Sequence, residues 1–248
     1  MQTKKLLSVA AALVAVACSD GTSPGSTVSL SLSTSGAQSP VPASAFAVAA
    51  AADTLMGASN TLVIESVEMV LREIELERVG VPSCDVDPEP AGCEKFETGP
   101  VLFELPLNGA TQQVLTIEPA SGTYDRVEFD IHKVSGDPED AEFRAAHPDL
   151  VETSIRVRGS YNGMAFTFTT DLMEKQEYAL VPAVEVGDGA PTNVTLYLDV
   201  ANWFSDGAGD YVDPASANKG GTNENPVKDN IRDSIDAFED SDRDGRPE

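Results

Sequence analysis

The sequence predicts an all-β protein, an antiparallel β-sandwich of immunoglobulin-like or transthyretin-like kind with a short helical insert and a C-terminal helix. Val28-Ser29-Leu30-Ser31-Leu32-Ser33 alternates strictly between apolar and polar side chains. Val127, Phe129 and Ile131 likewise interleave with Glu128, Asp130 and His132, the period of two expected of a half-buried strand. Asn162-Gly163 separates two further runs and supplies the two positive φ angles of a type I′ hairpin turn. With turn residues between the runs, about seven to nine strands are expected, the number usual in a sandwich.

At the N-terminus, Lys4 and Lys5 precede an uncharged run from Leu6 to Ala17. As a helix that run would rise about 18 Å against a hydrocarbon core of ~30 Å, so residues 1–17 read as a signal peptide and not as a span. Ala15-Val16-Ala17-Cys18 resembles a lipobox, in which the cysteine is lipidated and the chain is cut just before it. The competing reading is an ordinary secretory signal followed by a chance cysteine. Ser19 after Cys18 resembles lipoproteins sent to an outer membrane, so the expected location is the bacterial cell envelope, with Cys18 as a lipid anchor. After Cys18 in residues 18–27, Ser19–Thr27 is rich in Ser, Thr, Gly and Pro and reads as a tether of about 15–18 Å reach.

Residues 28–204 read as the sandwich domain. Val28–Ser33 is its first strand, and the Ala-rich stretch Ala43–Ala52 fits either a short helix or a loose crossover. Thr61–Val79 carries a helical stripe in Val63, Val67, Val70, Leu71 and Ile74. Its second half decides for one long strand with a bulge, because Met69, Leu71, Ile74 and Leu76 approximate alternation with a single slip. Cys84 and Cys93 flank a Pro/Gly-rich loop and are expected to pair as a disulfide in an oxidising compartment; zinc is the weaker alternative, with no histidine nearby to complete a tetrahedral set.

Strands are expected at Val101–Leu105, Gln113–Ile117 and Tyr124–Val134. Asp137-Pro138-Glu139-Asp140 has the residues of a helix start, and Pro148 a stop, which predicts the insert. The hairpin Ser154–Tyr161 and Met164–Thr170 offers Ile155 and Val157 opposite Met164, Phe166 and Phe168. Strands at Tyr178–Val181 and Val194–Val200 complete the set. The order of Thr61–Val79, Gly122-Thr123-Tyr124-Asp125-Arg126-Val127 and Val194-Thr195-Leu196-Tyr197-Leu198-Asp199-Val200 resembles the bacterial envelope-lipoprotein family called domain of unknown function 4382. That resemblance implies a lipid-anchored β-sandwich and brings no activity.

Residues 205–248 read as an acidic tail with a helix and an Asp-rich loop. Asn225 and Pro226 suit a helix start, and Val227, Ile231, Ile235 and Phe238 fall on one helical face. Asp240-Ser241-Asp242-Arg243-Asp244-Gly245 then resembles the start of a calcium loop, with carboxylates at alternate positions and glycine at the turn. The bidentate glutamate of a full loop would fall beyond Glu248, so Glu248 joins Asp240, Asp242 and Asp244 as the expected ligands of a Ca2+ ion. The alternative is a solvated acidic terminus.

The chain carries 41 acidic and 16 basic residues, a net charge of −25 that repels phosphate backbones and makes nucleic acid an unsuitable partner. Its two histidines, His132 and His147, sit in no nucleophile or zinc-helix motif, and His132 reads as a surface strand position two residues from Asp130. Asn193-Val194-Thr195 matches a glycosylation sequon but reads as strand sequence. The expected function is therefore a non-catalytic binding or structural lipoprotein facing a glycan or an envelope protein, with Trp203, Phe204 and Tyr211 as candidate contacts. Burial of Trp203 and Phe204 in the core is the competing reading for those rings. The second class is an envelope hydrolase using carboxylate or metal chemistry.

Overall fold

The computed structural model describes residues 26–35, 52–107, 109–187 and 191–247. The signal peptide, Cys18, most of the tether and of the Ala-rich stretch, and Glu248 lie outside the described residues. No helix of the described residues is long and apolar enough to cross a membrane.

Twelve strands are present among the described residues. In chain order β1 is Val28–Thr34, β2 Asp53–Met56, β3 Thr61–Arg78, β4 Cys93–Glu97, β5 Val101–Glu104 and β6 Gln112–Ile117. Then come β7 Gly122–Ile131, β8 Ile155–Tyr161, β9 Met164–Thr170, β10 Glu174–Val186, β11 Thr192–Leu198 and β12 Ile235–Glu239. They form two packed sheets. The smaller has the order β12-β11-β1-β6, and the larger gathers eight strands around β3.

β3 is the spine of the larger sheet because its 18 residues outreach any partner. Its first half pairs with β8 over Leu62–Met69 and its second half with β7 over Leu71–Arg78. The expected bulge lies between Arg72 and Glu75, where Glu73 adopts φ 48°. The hairpin turns on Asn162 and Gly163 at φ 51° and 80°. Met164, expected in the core, is instead 77 % exposed, at the tip of the hairpin opposite Tyr161.

The core lies between the sheets. Leu32, Leu196, Leu198 and Ile235 of the smaller sheet face Met69, Leu71, Phe103 and Phe129 of the larger across one narrow apolar gap. All pairings are antiparallel except β1 with β11, which run parallel from Val28 opposite Thr192 to Thr34 opposite Leu198. Alternation carries no direction, so this pair was not legible in the sequence.

The insert forms where expected. A turn at Pro138–Asp140, helix α1 at Ala141–Ala146 and a turn at Pro148–Leu150 bury Phe143 and Leu150 against Val70 and Val134. Asp137 makes no cap; its carboxylate accepts from the Ser135 hydroxyl.

The C-terminal region departs from expectation. Helix α2 covers Glu224–Arg232, buries Val227 and Ile231, and is preceded by Asn223, not Asn225. Ile235 and Phe238 belong to β12, which pairs antiparallel with β11 from Val194 opposite Glu239 to Leu198 opposite Ile235. Residues 235–239 thus belong to the smaller sheet, and Val227 and Ile231 of α2 pack in the same core. Four apolar residues at helical spacing do not reveal that Asp233 and Ser234 turn the chain between them.

Candidate functional site

The outer face of the smaller sheet decides where chemistry can occur. On that face Ser29, Ser31 and Ser33 of β1 stand beside Asn193, Thr195 and Tyr197 of β11, followed by Asp236 and Phe238 of β12. All seven residues of β1 are buried, serines included, because the C-terminal loop folds back across them. The Arg243 guanidinium reaches the Ser29 hydroxyl at 3.4 Å, and Gly245 lies over Ser33.

Asp240 anchors that loop. Its amide donates to the Asn193 carbonyl at 2.9 Å, the last rung beyond β12, and its carboxylate then turns inward. Oδ2 accepts from the Thr195 hydroxyl at 2.8 Å and from the Gly245 amide at 3.1 Å, while Oδ1 accepts from the Asp244 amide at 2.9 Å. Behind it, Ser31 donates to Asn193 Oδ1 at 2.7 Å, and Asn193 Nδ2 donates to Thr195 Oγ1 at 2.9 Å and to the Asp240 carbonyl at 3.0 Å. Asp240 and Thr195 are 0 % exposed. Arg243 at φ 59° and Gly245 at φ 78° make the reversal that brings the two amides back to one carboxylate.

Carboxylate oxygens of Asp240, Asp242 and Asp244 lie within 4.8 Å of one another. Oxygens that share a calcium ion at about 2.3–2.6 Å each can stand up to about 5 Å apart, so the donor set fits a hard cation of that size. The three donors to Asp240 are neutral, and no Lys or Arg of the described residues forms an ion pair with it. A carboxylate has about four lone-pair positions, which leaves one for a metal. Three of the four expected ligands thus come together.

The Asn193-Val194-Thr195 triplet is strand, as read, but its polar side chains proved to be the support of Asp240. Alternation puts the two polar side chains on one face of β11; nothing local shows which loop covers them.

Most other candidates fall away, Tyr211 excepted, which lines a cavity with Ser205 and Asp210. Trp203 and Phe204 are fully buried. Trp203 Nε1 donates to Ser234 Oγ at 2.7 Å, and Phe204 meets Phe168 edge-on at 5.2 Å between centroids, so neither ring can contact a partner. Tyr211 is half-buried against the same core, with its carbonyl held by Asn60 and Tyr161. His132 is not at the surface. It is 4 % exposed, its Nε2 lies 2.8 Å from Asp140 Oδ1, and Asp130 pairs instead with Arg72. The Ser135 amide and hydroxyl bond the other Asp140 oxygen. Serine and histidine therefore both meet the carboxylate and not each other, which is an anchor for the insert and not a nucleophile with its base.

Cys84 and Cys93 form a disulfide, with Cα atoms 5.8 Å apart, so their sulfurs are not thiolate ligands. Beside the loop they close lie three buried carboxylates of the larger sheet, Glu75, Glu77 and Glu128. Burial raises the proton affinity of each, opposed by Lys95 at 3.1 Å from Glu75, Arg126 at 2.5 Å from Glu77 and Lys175 at 2.6 Å from Glu128. None of the three lines the cavities beside the Asp loop or around Ser205 to Tyr211.

No family model, no curated protein and no solved structure matches the chain. Function has to be read from the residues themselves.

Proposed function

We propose that this chain is a non-catalytic, lipid-anchored binding protein of the bacterial cell envelope whose Asp240–Asp244 loop holds one calcium ion. The observation that carries the reading is Asp240. A fully buried carboxylate held only by neutral donors lacks the positive charge that burial of an anion calls for, and Asp242 and Asp244 stand where a cation would complete the set. Hard oxygen donors and an acidic chain favour calcium over softer metals.

The anchor rests on Lys4, Lys5, the apolar run and Cys18, and the disulfide suits an oxidising compartment. A hydrolase would need an acid of raised proton affinity open to a cavity, and the three such acids among the described residues are buried and line neither cavity named above. Calcium titration of the full chain by calorimetry tests the reading: one site is expected, lost in Asp242→Asn/Asp244→Asn, and no heat at millimolar calcium contradicts it. Cys18→Ser is expected to move the folded protein out of the membrane fraction.

A further inference from the structure

Beside the Asp loop the outer face of the smaller sheet holds a cavity of about 430 Å³. Its floor is one cross-strand row, Ser33 opposite Tyr197 and Tyr197 opposite Asp236, with Phe238 next to it. Its roof includes Asp244 and Arg246. From the geometry of this row and its roof we infer that the cavity binds an uncharged saccharide, an inference that rests on the reading of this face as a binding surface.

Ser33 is 3 % exposed and lines the cavity, yet its hydroxyl bonds to no described residue. The Tyr197 hydroxyl is likewise without a partner among the described residues, and Arg246 forms no ion pair there. Elsewhere on this face the buried hydroxyls are engaged, Ser31 by Asn193 and Thr195 by Asp240. A buried hydroxyl left open to a cavity is a group waiting for a partner.

Gly245, in the cavity lining, lets the loop pack close to the Ser33 hydroxyl. A β-carbon there would lie 3.0 Å from Ser33 Oγ and 3.1 Å from Thr111 Oγ1, a second buried hydroxyl with no partner.

The lining decides the ligand class. Two carboxylates can accept hydroxyl protons in short charge-assisted bonds, a guanidinium and two hydroxyls can donate, and Tyr197 and Phe238 add aromatic carbon to the lining. Rings and polar groups mixed in this way suit a molecule that carries hydroxyls on an apolar frame. A net charge of −25 disfavours anionic glycans, and Arg246 beside the two carboxylates offsets their pull on a cation, which favours neutral ones. The volume falls within the range of small-ligand sites.

The test uses the full chain with millimolar calcium, in a detergent without a sugar headgroup. Neutral disaccharides such as cellobiose, mannobiose and chitobiose are screened by saturation-transfer NMR, and any that respond are titrated by calorimetry. At least one is expected to bind, with Asp236→Ala weakening it about tenfold and Ser33→Ala weakening it measurably, while the calcium isotherm stays unchanged in both. Transfer to none of them overturns the inference, as does affinity indifferent to both substitutions or preferential binding of a cationic amine such as spermidine. Calcium binding without saccharide binding sinks this inference alone. Saccharide binding that responds to Asp236→Ala in a protein that takes no calcium sinks the calcium site and leaves the cavity's ligand standing.

Discussion

The Thr195 hydroxyl donates to Asp240 Oδ2 at 2.8 Å, with both residues fully buried. A central strand of the smaller sheet thereby fixes the first carboxylate of a loop that begins beyond β12. The loop's geometry is set by the sheet and not by the loop alone.

Thr195→Val should leave Asp240 buried with only its two amide donors. Losing a hydrogen bond to a buried charged group costs about 1–3 kcal/mol, or roughly 2–10 °C in Tm for a domain of this size. Calcium affinity should fall as well. Thermal unfolding with and without calcium measures both, and an unchanged Tm would show that the carboxylate is held by the loop alone.

Removing the disulfide with Cys84→Ser/Cys93→Ser frees a loop of sequence separation 9. Chain entropy assigns such a closure about 2–3 kcal/mol. Urea unfolding should show a loss of that order. A much smaller loss would mean that the ion pairs of Glu89 with Lys95 and of Asp85 with Lys175 hold the loop unaided.

Asp171 ties the β9 end to α2 through Lys219 at 2.8 Å and Lys228 at 2.7 Å, which hold its carboxyl down at about 2. A lowered folded pKa stabilises above the ordinary value of 3.8 and is lost as pH falls toward about 2. Asp171→Asn should therefore cost about 1–2 kcal/mol at pH 7, discounted for the exposed Lys219, and progressively less below pH 4. Denaturant unfolding of both proteins at neutral and acid pH provides the comparison; a cost that grows on acidification would reverse the sign.

Trp203 is the single tryptophan, so its fluorescence reports one site. Its complete burial predicts blue-shifted emission and weak quenching by acrylamide until the protein unfolds, and Trp203→Ala should cost about 3–5 kcal/mol. Strong quenching in the native state would restore the ring as a surface contact.

Much of the fold was legible because strand alternation is local. β1, the bulged β3 and the Asn162-Gly163 hairpin follow from neighbouring residues, and the disulfide from loop composition and the expected compartment. What was not legible is non-local. The parallel β1–β11 pair joins segments more than 150 residues apart. The serines of β1 look solvent-facing until the C-terminal loop covers them, and His132 looks solvent-facing until Asp140 of the insert meets it. Ile235 and Phe238, three apart, suit a helical stripe and fall on opposite faces of a strand, and pairing with β11 chose the strand. At the candidate site the three aspartates were visible as a motif, while Ser31, Asn193 and Thr195, which hold the first of them, appeared only as alternation.

The most direct test is the melting temperature of the full chain in excess calcium against excess chelator, for the natural sequence and for Asp242→Asn/Asp244→Asn. At about a hundredfold over Kd, one bound ion should add about 2.7 kcal/mol, or roughly 5–10 °C, and the double variant should show no such gain. Equal melting temperatures for the natural chain in calcium and in chelator would contradict the calcium site.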